Sequence, residues 1–174
     1  MSQLQKLFTP EEIKLAVENL AREINRDYQG KNPLLLGVLK GSFMFMADLI
    51  RNLDMPLEIE FVALSSYGQG TESSGKVDIV KDICTSIKDK DVLIIEDIVD
   101  TGITLSFLLE HLQCESPASL KICALFDKTS RRQIPLSIDY LGLTVPDVFV
   151  VGYGMDCDEK FRHLPGLYHL RDES

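Results

Sequence analysis

The chain has 174 residues, with 18 Lys and Arg against 27 Asp and Glu and a net charge of −9. That length suits a single domain with a substantial core, and 45 % hydrophobic with 26 % charged residues excludes disorder, a collagen-like fibre and a disulfide-dense miniprotein. The acidic excess argues against broad contact with nucleic acid or an anionic membrane surface, because both need Lys and Arg to displace counterions.

Thr9-Pro10-Glu11-Glu12 reads as a helix start, with Thr9 as cap, Pro10 in the first turn and Glu12 closing a capping box. Ile13, Ala16, Val17, Leu20 and Ile24 then share one face, so this helix is expected to cover a core edge. Leu34-Leu35-Leu36-Gly37-Val38-Leu39 is a continuous apolar run too short for a buried helix, and it reads as an interior strand ending at Lys40-Gly41. Helical spacing resumes from Phe43 to Leu53. Strands are expected over Glu58 to Ser65 and Val77 to Val80, bracketing a polar, glycine-rich stretch over 65–75 that is either a mobile lid or a plain hairpin connection. Val92 to Ile95 is a buried strand, Leu105, Leu108, Leu109 and Leu112 mark a helix, and Leu120 to Leu125 and Phe149 to Val151 supply further strands. Strands alternating with helices through short turns imply right-handed crossovers, giving an α/β fold with a mainly parallel central sheet flanked by helices and a flexible antiparallel flap. No linker, repeat or low-complexity tract divides residues 1–174, which are expected to form one domain.

Cys84, Cys114, Cys123 and Cys157 show no C-x-x-C spacing, and His111, His163 and His169 add no zinc pattern. Reduced, mostly buried cysteines in a cytoplasmic protein are the plain expectation. Neither a signal-peptide pattern nor a membrane-length apolar stretch is present in the sequence. Gly70-Thr71-Glu72-Ser73-Ser74-Gly75-Lys76 matches the start of a P-loop, but Val77 stands where Ser or Thr would hold magnesium and a strand follows instead of a helix, so the match is attributed to chance.

The chemistry is concentrated in Val92-Leu93-Ile94-Ile95-Glu96-Asp97-Ile98-Val99-Asp100-Thr101-Gly102-Ile103-Thr104, a buried strand ending in two carboxylates and turning into a helix. The 100–104 loop brings backbone N–H groups to a helix N-terminus, Gly102 allows close approach, and two threonine hydroxyls add donors, which together suit a terminal phosphate. Glu96 and Asp97 beside it would repel a phosphate unless a cation or sugar hydroxyls intervene. The pair therefore predicts a magnesium-bound, phosphorylated ribose. An exposed strand end followed by an ordinary aspartate cap is the competing account of the same residues.

This segment resembles the phosphoribosyl-diphosphate signature of the type I phosphoribosyltransferase family, and the similarity to its bacterial purine-salvage members runs from Leu34 to Leu170. The resemblance implies a small C-terminal hood and magnesium-dependent transfer of the phosphoribosyl group to a 6-oxopurine, hypoxanthine and guanine. It implies that Glu96 and Asp97 address the ribose hydroxyls and the metal, that Asp100 faces the purine N7 as general acid/base, and that Thr101, Gly102, Ile103 and Thr104 wrap the 5′-phosphate. Lys40 and Gly41 resemble the pyrophosphate loop, Ser66 and Tyr67 the tip of the catalytic flap, and Arg162 a pyrophosphate-binding arginine. Lys128 resembles the donor to the 6-oxo group, Phe149 the aromatic that stacks on the base, Val150 a source of backbone contacts, and Asp156 a second magnesium contact. A homodimer or homotetramer is implied as well, with no nucleic-acid or membrane partner. A donor-sensing regulator of the same fold that binds RNA or DNA is the alternative, and it would be expected to carry a basic face, which this composition does not suggest. Arg131 and Arg132 stay without a role at this level.

Overall fold

The computed structural model describes residues 3–67 and 76–171. The expected chance P-loop match and the centre of the glycine-rich stretch, residues 68–75, lie outside the described residues, as do the side chains of Ser66 and Tyr67.

Helix α1 (Pro10–Asp27) begins as its sequence dictates: Glu12 N donates to Thr9 Oγ1 at 3.2 Å and Thr9 N donates to Glu12 Oε2 at 2.8 Å. Ile13, Ala16, Val17, Leu20 and Ile24 are all buried on its inner face. The main sheet contains β2 (Leu34–Leu39), β3 (Glu58–Tyr67), β4 (Lys76–Lys81), β5 (Asp91–Val99), β6 (Ser119–Asp127) and β7 (Tyr140–Thr144), in the spatial order β4-β3-β2-β5-β6-β7. All neighbours are parallel except β3 and β4, the antiparallel arms of the expected flap, where Ser66 pairs with Val77 and Tyr67 with Lys76. Helix α2 (Phe43–Ile50) follows β2 and helix α3 (Ile103–Gln113) follows β5.

Because side chains alternate across a strand, the central sheet feeds two cores. Leu35, Leu93, Ile95, Cys123 and Leu125 pack with α1 and α2 on one face, and Leu34, Leu36, Val92, Ile94 and Ile122 pack with α3 on the other. A second sheet, β1 (Gln3–Phe8), β9 (Leu167–Arg171) and β8 (Val150–Val151), is antiparallel in the order β1-β9-β8. Its Val150 and Leu167 join the α1 core, so the hood rests on the same apolar mass as the main sheet. Among the described residues no helix is long and apolar enough to cross a membrane.

Several expectations are corrected. Strand β5 continues to Val99, so Glu96 and Asp97 lie within it: ladder pairing of Ile98 with Phe126 and Val99 with Asp127 carries the strand past the carboxylates. Helix α2 stops at Ile50, before Leu53, and Phe149 precedes β8. The cysteines are not mostly buried: Cys123 is, whereas Cys84 and Cys114 are exposed and Cys157 is intermediate, all four as free thiols. Strands β1, β7 and β9 were not foreseen. The residues of β1 are mostly exposed, and only its pairing with β9, more than 150 residues away in the chain, makes it a strand.

Candidate active site

Strands β2, β5 and β6 end at one edge of the sheet, where the crevice of a parallel α/β sheet forms. At that edge Gly102 has φ +85° and is the N-cap of α3, so Asp100 is not the cap and its side chain is free for other contacts. A Cβ on Gly102 would meet Ile134 O at 3.1 Å and Arg132 Cδ at 3.2 Å, leaving glycine as the residue this turn accepts. Ser106 N is bonded to Gly102 O at 2.9 Å, the first closed turn of α3. The amides of Thr104 and Leu105 come before it in the helix and belong to the orphan set of a helix N-terminus. Ile103 N donates to Thr101 Oγ1 at 3.3 Å.

Glu96 and Asp97 are each 8 % exposed. Burial, with the charge of Asp97 beside it, holds Glu96 well above the usual carboxylate range, and burial also raises Asp97. Gly41, just beyond β2, lies directly against Asp97: a Cβ there would stand 1.8 Å from Asp97 Oδ2. On its other side the carbonyl of Gly41 meets Gly154, whose Cβ would come within 2.1 Å of it. Three segments far apart in sequence, Lys40-Gly41, Glu96-Asp97 and the 152–162 turns of the hood, thus converge on one point. The Leu39–Lys40 peptide is cis.

Around Asp100 stand two cations. Lys128 Nζ lies 3.8 Å from Oδ2 and Arg131 Nε lies 3.3 Å from Oδ1. Lys128 is only 5 % exposed, so it is no solvated surface charge; burial lowers its pKa and the carboxylate of Asp100 partly offsets this. Its backbone is fixed by Lys128 N donating to Val99 O at 2.9 Å. Phe149 is 51 % exposed, and the buried Val150 follows in β8.

In the hood, Arg162 Nη2 is 2.8 Å from Asp156 Oδ1 and 3.4 Å from Glu159 Oε2, while Arg162 Nη1 donates to Gly154 O at 2.8 Å. Glu159 Oε1 also accepts from Lys40 Nζ at 2.9 Å, and the two cations hold its carboxyl below the usual range. The predicted site residues Lys40, Gly41, Glu96, Asp97, Asp100, Thr101, Gly102, Ile103, Thr104, Lys128, Asp156 and Arg162 therefore belong to one connected edge of the molecule. Glu159, Gly154 and Arg131 were missed. Glu159 and Gly154 carry no sequence signal of their own, whereas two adjacent arginines just after a strand end were a visible but uninterpreted one.

A mainly parallel sheet covered on both faces, with a glycine-turned helix start beside buried carboxylates, puts the protein in the class of α/β proteins whose crevice lies at the carboxyl ends of the strands. The phosphoribosyl transferase domain family matches residues 4–158, and the chain belongs to that family. It is 49 % identical over 165 residues to the hypoxanthine-guanine phosphoribosyltransferase of Bacillus subtilis, covering 95 % of this chain and 92 % of that protein. The crystal structure of a hypoxanthine phosphoribosyltransferase from Staphylococcus aureus is similar with a TM-score of 0.92 at 47 % identity, covering 96 % of this chain and 91 % of that one. The chain is also 45 % identical over 167 residues to the bifunctional protein TilS/HprT of Listeria innocua, spanning 96 % of its own length and 26 % of that longer protein. The fold is that of the type I phosphoribosyltransferases.

Proposed function

We propose that the protein transfers the 5-phosphoribosyl group from phosphoribosyl diphosphate to a 6-oxopurine, hypoxanthine and guanine, and releases pyrophosphate. The observation that carries this reading is the buried Glu96-Asp97 pair near the end of β5, with Asp97 pressed against Gly41, just ahead of the glycine-capped start of α3. A phosphate-binding turn next to two buried carboxylates matches a ligand that is a phosphate at one end and a polyol at the other. The relatives named above support the purine acceptor.

In the reaction a purine ring nitrogen bonds to the anomeric carbon as the bond to pyrophosphate oxygen breaks, and the purine loses a proton. Positive charge on the sugar in a loose transition state is favoured by the electron-rich carboxyl oxygens of Glu96 and Asp97. The turn from Thr101 to Thr104 anchors the 5′-phosphate, and Lys40 and Arg162 receive the leaving pyrophosphate once Lys40 parts from Glu159 and Arg162 from Glu159 and Asp156. Asp100 is the acid/base at the purine, Lys128 donates to the 6-oxo oxygen, and Phe149 covers the ring with Val150 backbone groups at its edge. A 6-amino group cannot accept the Lys128 bond. Ser66 and Tyr67 would cap the reacting centre as the flap.

The donor set fits magnesium. Among the described residues no three His, Cys, Asp or Glu side chains form a metal cage, but magnesium characteristically uses one or two carboxylates and completes its shell with water and substrate oxygens. One or two of Glu96, Asp97 and Asp156 would hold it, with water and substrate oxygens as its other ligands, and when bound it would offset charge on the departing pyrophosphate.

The shared apolar core of the two sheets supports one domain over residues 1–174, and the free thiols are consistent with the cytoplasm. Ile59 and Phe43, 44 % and 39 % exposed, lie on the side of the sheet that carries α2, which supports assembly into a homodimer or homotetramer. The deciding experiment mixes protein, phosphoribosyl diphosphate and magnesium with hypoxanthine, guanine, xanthine or adenine in turn and follows nucleotide formation. Product from 6-oxopurines and none from adenine is expected, and a chain that binds the donor without transferring it to any base would refute the enzyme.

A further inference from the structure

Arg132 lies on the segment after β6 and points back under the 100–104 turn. Its Nη2 pairs with the buried carboxylate of Asp127, which also accepts from Thr129 Oγ1 at 2.7 Å. Its Nε and Nη1 are buried and have no hydrogen-bond partner among the described residues. The guanidinium packs on Gly102: a Cβ there would come 3.2 Å from Arg132 Cδ and 3.6 Å from Nη1. The two residues that follow Arg132 grip the same turn, as Gln133 N and Ile134 N both donate to Thr101 O, at 2.9 and 3.2 Å.

Buried donors without acceptors are costly, so their retention needs a compensating role. The charges nearby indicate one. Glu96, Asp97 and Asp100 set three acidic side chains beside a turn expected to hold a dianion, and two further cations here, Lys128 and Arg131, are engaged by carboxylates, Lys128 by Asp100 and Arg131 by Asp100 and Asp147. Arg132 differs from them, because Asp127 takes one edge of its guanidinium and leaves the other edge facing Gly102.

We propose that Arg132 is a positioning residue for phosphate binding: anchored to Asp127 and packed against Gly102, its guanidinium holds the Thr101–Thr104 turn in shape and gives it the positive bias a phosphate dianion requires. This rests on the phosphoribosyl reading of the site. The role does not require Arg132 to touch the ligand, because Gly102 stands between them and the backbone donors of the turn make the contact.

The test compares two probes that differ only by the phosphate, inosine 5′-monophosphate and inosine, by calorimetric titration. In Arg132→Met the affinity for the monophosphate is expected to fall about tenfold, a size typical of a residue acting through another, while the affinity for inosine stays within about twofold. Arg132→Lys, which keeps the charge but not the planar fork, is expected to recover part of the loss. Since removing Arg132 alone leaves Asp127 buried and unpaired, the neutral pair Asp127→Asn with Arg132→Met is measured alongside and is expected to show the same phosphate-specific loss. Equal losses for both probes, or no loss for the monophosphate in any of these variants, would overturn the proposal. A wild-type protein with no preference for the monophosphate would instead overturn the phosphoribosyl reading and the role of Arg132 with it.

Discussion

Gly41→Ala is the smallest change that should disable the site, and its effect can be worked from distances. The added methyl would lie 1.8 Å from Asp97 Oδ2 and 2.6 Å from Cγ. Relieving that to about 3.0 Å moves the carboxylate or the loop by roughly 1.2 Å. The loop has little room to retreat, because the carbonyl of Gly41 is already pressed against Gly154, and Asp97 is buried, so its carboxylate cannot simply swing into solvent. Misplacing a reacting or binding group by about 1 Å costs on the order of a hundredfold in rate, or about 2.7 kcal/mol of transition-state stabilisation. The same overpacking should destabilise the fold by about 1–3 kcal/mol, and at about 2–4 °C per kcal/mol for a chain of this size the melting temperature should drop by several degrees. Steady-state kinetics with varied donor and thermal melts of Gly41→Ala, Asp97→Ala and the double variant measure both effects. If the clash is real, Asp97→Ala makes room for the methyl and the double variant is more stable than the sum of the single changes implies. Strict additivity of the two stability losses, or a folded Gly41→Ala protein with wild-type kcat/KM, would refute the reasoning.

Asp100→Asn preserves shape but removes the proton acceptor, and it should lower kcat by about 10²–10⁴-fold with little change in donor affinity; rapid-quench turnover with equilibrium donor binding separates the two. Lys128 is a buried cation whose pKa is lowered from 10.5 by desolvation, so folding pays for its charge at neutral pH. The native state binds fewer protons than the unfolded chain between the lowered value and 10.5, hence stability rises with pH through that window. Lys128→Met should therefore melt higher than wild type at pH 7, with the gap narrowing toward pH 10.5, while losing its preference for 6-oxopurines; thermal melts across pH with an acceptor panel read both. Glu159 occupies Lys40 and Arg162 with its own carboxylate, so Glu159→Gln should strengthen inhibition by pyrophosphate, by no more than about fivefold for so exposed a pair. Weaker inhibition would instead make Glu159 part of the anion's site. Ile59→Lys should reduce the sedimenting mass to that of a monomer if the α2 side of the sheet is the interface.

Much of this was legible because it is local. The capping box at Thr9, the apolar run of β2, the β5 strand and the glycine turn into α3 each depend on residues within a few positions of one another, and backbone sterics and side-chain periodicity act over that range. The candidate site was legible where ionisable and turn residues are concentrated in one run, as in Glu96 to Thr104. Where it is assembled from distant pieces, residue-by-residue reading did not reach it: Lys128, placed only through the family resemblance, looks like a surface lysine by itself yet is 5 % exposed, and nothing in Glu159 announces that it will reach Lys40 from 119 positions away.

The sequence by itself determined the alternation of strands and helices, the parallel sheet and the glycine turn into α3, since these follow from period, turn residues and the short range of backbone hydrogen bonding. Tertiary structure alone decided that β1 pairs with β9, that Gly41 is wedged between Asp97 and Gly154, and that Arg131 and Arg132 have different partners, one Asp100 and the other Asp127. Those outcomes depend on steric contact and on the burial of charge, and neither exists until the whole chain has packed.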